Sequence, residues 1–163
     1  ILADLESPET EPDRTDFPAS ELLDRILEAV SPAARQAGID IESDYPGDLP
    51  VLNADSGQLH RLFANLLNNA PRHADRKVAL SAAAFDRQLR FRVEDDGPGI
   101  PEDARDRIFD RYYRIDSSRS RDSGGSGLGL AICLEIARAH GGSISAGASE
   151  KLGGALLEVL IPC

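Results

Sequence analysis

Apolar residues recur along this chain in two rhythms. Leu22, Leu23, Ile26, Leu27 and Val30 keep the three-to-four spacing of a helix over 20–30, and Gly38 ends that region. Leu59, Leu62, Phe63, Leu66, Leu67 and Ala70 form a longer stripe, opened by an N-cap at Asp55 and closed by Pro71 and the residues after it. A third helix, apolar on most sides, is predicted over 128–140 and stopped by Gly141-Gly142. Strand-like runs cover 39–43, 78–85, 89–94, 143–148 and 155–161. Pro46, Gly47 and Pro50 mark a turn, Asp86-Arg87-Gln88 a second, and Asp95-Asp96-Gly97-Pro98-Gly99 a sharp loop. Pro101, with Glu102 and Asp103 behind it, opens a short helix.

Hairpins in place of strict strand–helix alternation predict an α+β fold. It is a two-layer sandwich with a mixed, mostly antiparallel sheet covered by helices on one face. Residues 115–126, rich in Ser, Arg, Asp and Gly, are expected to be mobile. Residues 1–17 read as a lead-in whose first six close a helix, and 18–163 as one domain.

Composition narrows the function classes. The net charge of −10 lies entirely in residues 1–50, which hold 13 acidic and 3 basic side chains, so the remainder is neutral. That placement argues against nucleic-acid binding, whose footprint is basic. No run approaches the roughly 20 apolar residues of a membrane span, and no signal-peptide pattern opens the chain. The chain starts at Ile1 and has no Met, so it is expected to be a fragment or a processed form. Cys133 and Cys163 give neither a disulfide framework nor metal-ligand spacing. Cys133 reads as a small core residue, and reduced intracellular chemistry is assumed.

The chemistry concentrates in four segments. Asn65, Asn69 and Arg72 fall within about 60° of one another on a helix, bordering the apolar stripe. An asparagine carbonyl at 65 can serve Mg²⁺, which keeps several waters and takes further oxygens from nucleotide phosphates. Gly97 and Gly99 lack side chains where a flat ring can approach, and Asp95 offers an acceptor for an exocyclic amine. Gly125, Gly127 and Gly129 lead into a helix, where unpaired N–H groups and the dipole favour a phosphate. The spacing is not that of a Walker loop, and no parallel unit precedes it.

Four stretches then carry a resemblance: Asn65-Leu66-Leu67-Asn68-Asn69-Ala70, Val93-Glu94-Asp95-Asp96-Gly97-Pro98-Gly99-Ile100, Ile108-Phe109-Asp110-Arg111-Tyr112-Tyr113-Arg114 and Gly125-Ser126-Gly127-Leu128-Gly129-Leu130-Ala131-Ile132. They resemble, in family order, the asparagine, first glycine, phenylalanine and second glycine boxes of bacterial sensor histidine kinases. The wider superfamily includes gyrase B, heat-shock chaperone and mismatch-repair ATPases and anti-sigma-factor kinases. The resemblance implies ATP and Mg²⁺ as cofactors, with Asn65 on the metal and Asn69 helping to hold metal and phosphates. Arg72 would meet the phosphates, and His73 would line the nucleotide or cap its helix. Asp95 would accept from the adenine amino group in a pocket shaped by Gly97, Gly99 and Ile100. Residues 115–126 would be a flexible ATP lid, with Ser126, Gly127, Leu128, Gly129 and Leu130 beside the phosphates. Arg114 would reach the γ-phosphate or a partner helix. Tyr112 and Tyr113 read as packing, His140 as structural, and Arg105, Arg107, Arg111, Arg119 and Arg121 as surface charges paired with nearby Asp.

Gyrase-like relatives place a water-activating Glu where this chain has Asn65. An amide is no general base, so the resemblance implies a kinase rather than a hydrolase. The acceptor would be a histidine on a separate dimerisation domain, outside this fragment, which therefore binds ATP without phosphorylating itself. A cognate response regulator is the implied partner. The fragment is expected to be a cytoplasmic monomer, and the intact protein an inner-membrane homodimer. Pro71 within the first box, and Ala155 after Gly153-Gly154 where the family often has Gly-Thr, depart from the pattern. A catalytically silent docking module and an anti-sigma-type serine kinase are the rival readings.

Overall fold

The computed structural model describes residues 11–113 and 129–163. Within them the chain runs β1 (Thr15–Pro18), α1 (Ala19–Gln36), β2 (Asp40–Asp44), β3 (Val51–Ala54) and α2 (Ser56–His73). β4 (Lys77–Phe85) and β5 (Gln88–Asp95) follow, then short 3-10 turns at Glu102–Ala104 and Arg107–Phe109. α3 (Gly129–Ala139), β6 (Ser143–Ala148) and β7 (Ala155–Pro162) complete it. The main sheet has the order β2-β4-β5-β7-β6, parallel between β2 and β4 and antiparallel elsewhere. β1 and β3 form a separate antiparallel ribbon.

Period-two patterning decides which face of the sheet is covered. Along β5, Leu89, Phe91 and Val93 are buried while Arg90, Arg92 and Glu94 stay half-exposed on the opposite face. Leu157, Val159 and Ile161 of β7 lie in register with the buried set. The α2 stripe closes onto this face, and Phe63 stacks on Phe91 with ring centroids 4.2 Å apart and planes at 23°. On the outer face Arg92 sits opposite Glu158 and bonds it at 2.6 Å. The β4–β5 hairpin turns on Asp86 and Arg87, both at positive φ (52° and 62°), the geometry that matches strand twist. The α+β sandwich expected from the sequence is thus the fold observed.

Three local expectations fail for identifiable reasons. Pro71 does not cut α2 short, and the helix closes only after His73. So near the helix end a proline removes only one hydrogen bond, and Ala74 N–H still reaches Ala70 O at 2.9 Å. α1 likewise runs past Val30 through Pro32 to Gln36, and the Ser31 hydroxyl donates to Leu27 O at 2.6 Å beside the proline. The segment 15–17, read as lead-in, falls in strand β1, and 51–54, for which the sequence predicts no element, forms its partner β3. Four-residue strands are too short for alternation to declare itself. No described helix is long and apolar enough to cross a membrane.

Candidate functional site

α2 brings its polar border to one edge of the molecule. Asn65 and Asn69 are half-buried, whereas Asn68, Arg72 and His73 are exposed, the last two in the final turn. The Asn65 amide hydrogen-bonds the Cys133 sulfur of α3, and Cys133 Sγ donates to Leu62 O at 3.6 Å. Burial pushes the Cys133 thiol up to about 12, outweighing the opposite pull of Asn65 and Arg61, so the sulfur is a neutral core group.

Asp95 ends β5 and is only 6% exposed. Its Oδ1 accepts from Gly97 N–H at 2.9 Å and Ala155 N–H at 3.2 Å, and its main-chain oxygen accepts from Gly154 N–H at 3.0 Å. Oδ2 accepts no hydrogen bond among the described residues. Gly97 has a structural reason as well as a functional one, because a Cβ there would overlap the main-chain carbonyl of His73. Gly99 lies at φ 82°, in the left-handed region open to glycine. Ile100 packs against the core, and its carbonyl accepts from Arg105 Nε at 3.3 Å.

No local pattern of residues marks the clamp that joins these two segments. The Asp96 carboxylate accepts from Asp75 N–H at 2.8 Å and from Arg76 N–H at 3.0 and 3.1 Å. The Arg76 bond first, then those of Lys77 and Asp75, hold its carboxyl below the ordinary aspartate range. These bonds tie the exit of α2 to the 95–99 loop.

A second joint lies at the other end of α2. His140 is buried, its Nδ1 lies 2.9 Å from Ile136 O, and its Nε2 accepts from Asp55 N–H at 3.1 Å. Those partners assign the proton to Nδ1. Asp55 caps α2 through Gln58 N–H at 3.0 Å and takes Asp13 N–H at 2.9 Å on its other oxygen. Burial raises the Asp55 carboxyl, but the N–H groups of Asp13, Gln58 and Gly57, with His140, bring it below the ordinary value. The structural role expected of His140 is thus observed.

The phenylalanine-box segment divides. Ile108 and Phe109 are buried and Tyr113 packs against the core, while Tyr112 is 61% exposed at φ 65°. Arg111 Nη2 pairs with Glu135 Oε1 of α3 at 3.0 Å. Gly129 opens α3 with free space where a Cβ would sit, and Leu130 packs against the core. Arg114, Arg119, Arg121, Ser126, Gly127 and Leu128 lie outside the described residues.

These features fit a nucleotide: a nearly buried carboxylate with one unbonded oxygen, beside a loop with glycine at 97 and 99. Among the described residues no three His, Cys, Asp or Glu gather as a metal site.

Comparison with known proteins agrees. Residues 54–163 match the family model described as histidine kinase-, DNA gyrase B- and HSP90-like ATPase. The histidine-protein kinase BaeS of Escherichia coli is 38% identical over 84% of this chain, which spans 30% of that protein. AfsQ2 of Streptomyces coelicolor is 37% identical over 87% of the chain, which spans 26% of it. Full-length ShkA, solved in complex with AMPPNP, superposes with a TM-score of 0.82 at 32% identity, covering 99% of this chain and 33% of that one. The catalytic domain of the histidine kinase ThkA gives a TM-score of 0.80 at 26% identity, covering 92% of this chain and 95% of its own.

Proposed function

The chain belongs to the family of histidine kinase-, DNA gyrase B- and HSP90-like ATPases, and from that premise we propose that it binds Mg-ATP and presents the γ-phosphate to a histidine on a separate dimerisation domain. The observation that carries the reading is Asp95. A carboxylate this buried, with Oδ1 saturated by two backbone N–H groups and Oδ2 unbonded, is an acceptor held ready for a donor that the described protein does not supply. An adenine amino group is such a donor.

The roles follow residue by residue. Asp95 selects the base, with Gly97, Gly99 and Ile100 forming the wall beside it. Asn65 gives its amide oxygen to Mg²⁺, and Asn69 supports the same cluster one turn on. Arg72 and His73, exposed at the helix end, face charge arriving from solvent. Arg114 stabilises the transferring group, and Ser126, Gly127, Leu128, Gly129 and Leu130 close on the phosphates. Mg-ATP supplies the labile phosphoryl bond and neutralises its charge when bound. Asn65 cannot take a proton from water, which favours transfer over hydrolysis. His140 is not the acceptor, because both its ring nitrogens are engaged inside the fold.

In the longer protein, residues 1–17 would lead in from the dimerisation domain, with 18–163 as the catalytic unit. The intact protein would be an inner-membrane homodimer that passes its phosphate to a cognate response regulator, while this portion stays monomeric on the cytoplasmic side. The test is calorimetric titration of a non-hydrolysable ATP analogue with Mg²⁺ into the wild-type chain and Asp95→Asn. Saturable binding to the wild type, weakened by about 100-fold or more in the variant, is expected. Failure of the wild type to bind would leave a silent docking module as the better account.

A further inference from the structure

The turn between β6 and β7 is organised around one hydroxyl. Ser149 is 4% exposed although it lies in a surface hairpin. Its Oγ donates to Glu94 Oε1 at 3.0 Å and accepts from Leu152 N–H at 2.9 Å. Its main chain closes the same turn, donating to Gly154 O at 2.8 Å and accepting from Gly153 N–H at 2.9 Å. The turn then delivers Gly154 N–H to the Asp95 carbonyl and Ala155 N–H to Asp95 Oδ1. Gly154 comes so close that a Cβ would overlap the Asp95 carbonyl and carboxyl oxygens and crowd Gly97 N at 2.7 Å. Two of the groups that grip Asp95 are thus placed by a turn whose shape Ser149 fixes. Glu94, the residue before Asp95, anchors Ser149 from the neighbouring strand.

We propose that Ser149, anchored on Glu94, is a positioning residue that fixes the orientation of the Asp95 carboxylate and so sets discrimination between 6-amino and 6-oxo purines. The inference rests on the nucleotide reading above. A carboxylate oxygen aimed at the ring edge accepts from an amino group and repels an oxo group in the same place. Discrimination of that kind depends on angle and distance more than general affinity does. Ala155 carries no hydroxyl, so at that position only the backbone N–H holds Oδ1. Its placement is correspondingly important.

The experiment titrates the wild-type chain, Ser149→Ala, Glu94→Ala and Glu94→Gln with the Mg²⁺ complexes of non-hydrolysable adenine and guanine triphosphate analogues. Ser149→Ala and Glu94→Ala are expected to narrow the adenine-to-guanine affinity ratio by about tenfold, almost wholly by weakening the adenine analogue. Glu94→Gln keeps an oxygen for the Ser149 hydroxyl and should stay within about twofold of wild type. A ratio unchanged in both alanine variants, with melting temperature lowered, would overturn the proposal and leave Ser149 a purely structural residue. Should Ser149→Ala fail to fold, half-exposed Glu94→Ala decides. A wild-type chain that binds neither analogue overturns the nucleotide reading itself, an outcome distinct from binding without loss of discrimination.

Discussion

The interior between α2 and β5 and the loop cluster at the end of β5 share the same two elements, yet different forces hold them. Inside, Phe63, Leu66, Leu67, Phe91 and Val93 exclude water and stack without directional partners. At the strand end the packing is backbone against backbone. His73 O presses on Gly97, Gly154 on Asp95, and each contact is fixed by a hydrogen bond or by the absence of a Cβ. The first region tolerates exchange of one apolar shape for another of equal volume. The second tolerates almost none, because its tolerances are those of hydrogen-bond geometry.

The largest test of that contrast is Phe91→Ala. Removing a fully buried ring stacked on Phe63 should cost about 3–5 kcal/mol in urea denaturation, a large share of the roughly 5–15 kcal/mol of a domain this size. Nucleotide affinity of the fraction that remains folded should change little. Gly154→Ala inverts the pattern. A new Cβ against the Asp95 carbonyl forces a backbone shift costing about 1–3 kcal/mol, and adenine-analogue binding should fall by about tenfold or more in calorimetry. Equal losses of affinity in the two variants would erase the distinction.

Acid should act through the polar joints and not the core. Asp55 and Asp96 both titrate below the ordinary aspartate range when folded. Their stabilisation is therefore fully present above the unfolded value and lost as pH falls through the folded one. The urea midpoint should hold between about pH 5 and 7 and drop below about pH 4. Asp96→Asn should flatten that drop, and an unchanged acid limb would refute its share. The smallest effect is expected at Lys77→Ala. Its exposed pair with Glu42 at 3.3 Å should matter by no more than about 0.5 kcal/mol in the same assay.

Much of this was legible in the residues. The α2 stripe, the Asp55 cap, the β4–β5 hairpin and the α+β sandwich all follow from local periodicity and turn chemistry, because each depends on neighbours in sequence. Asp95 and the glycines around it were recognisable by type and spacing. The β1–β3 ribbon was not, because its two short strands are set by contact with each other across the whole of α1. Nor were Asp96 and Ser149 readable as more than loop residues. Their hydrogen bonds run to Arg76 and Glu94, segments that nothing in the local sequence links to them.

The sequence by itself determined which residues are apolar, how they repeat, and that an Asn pair, an Asp and two glycine loops occur in one order. Tertiary structure alone decided that Gly97 is glycine partly to admit the His73 carbonyl, that Asn65 meets Cys133, and that His140 meets Asp55. The division has one physical cause. Periodicity and capping are short-range properties of a single chain segment, whereas steric exclusion and hydrogen-bond partnership across the fold exist only once distant segments have been brought to within contact.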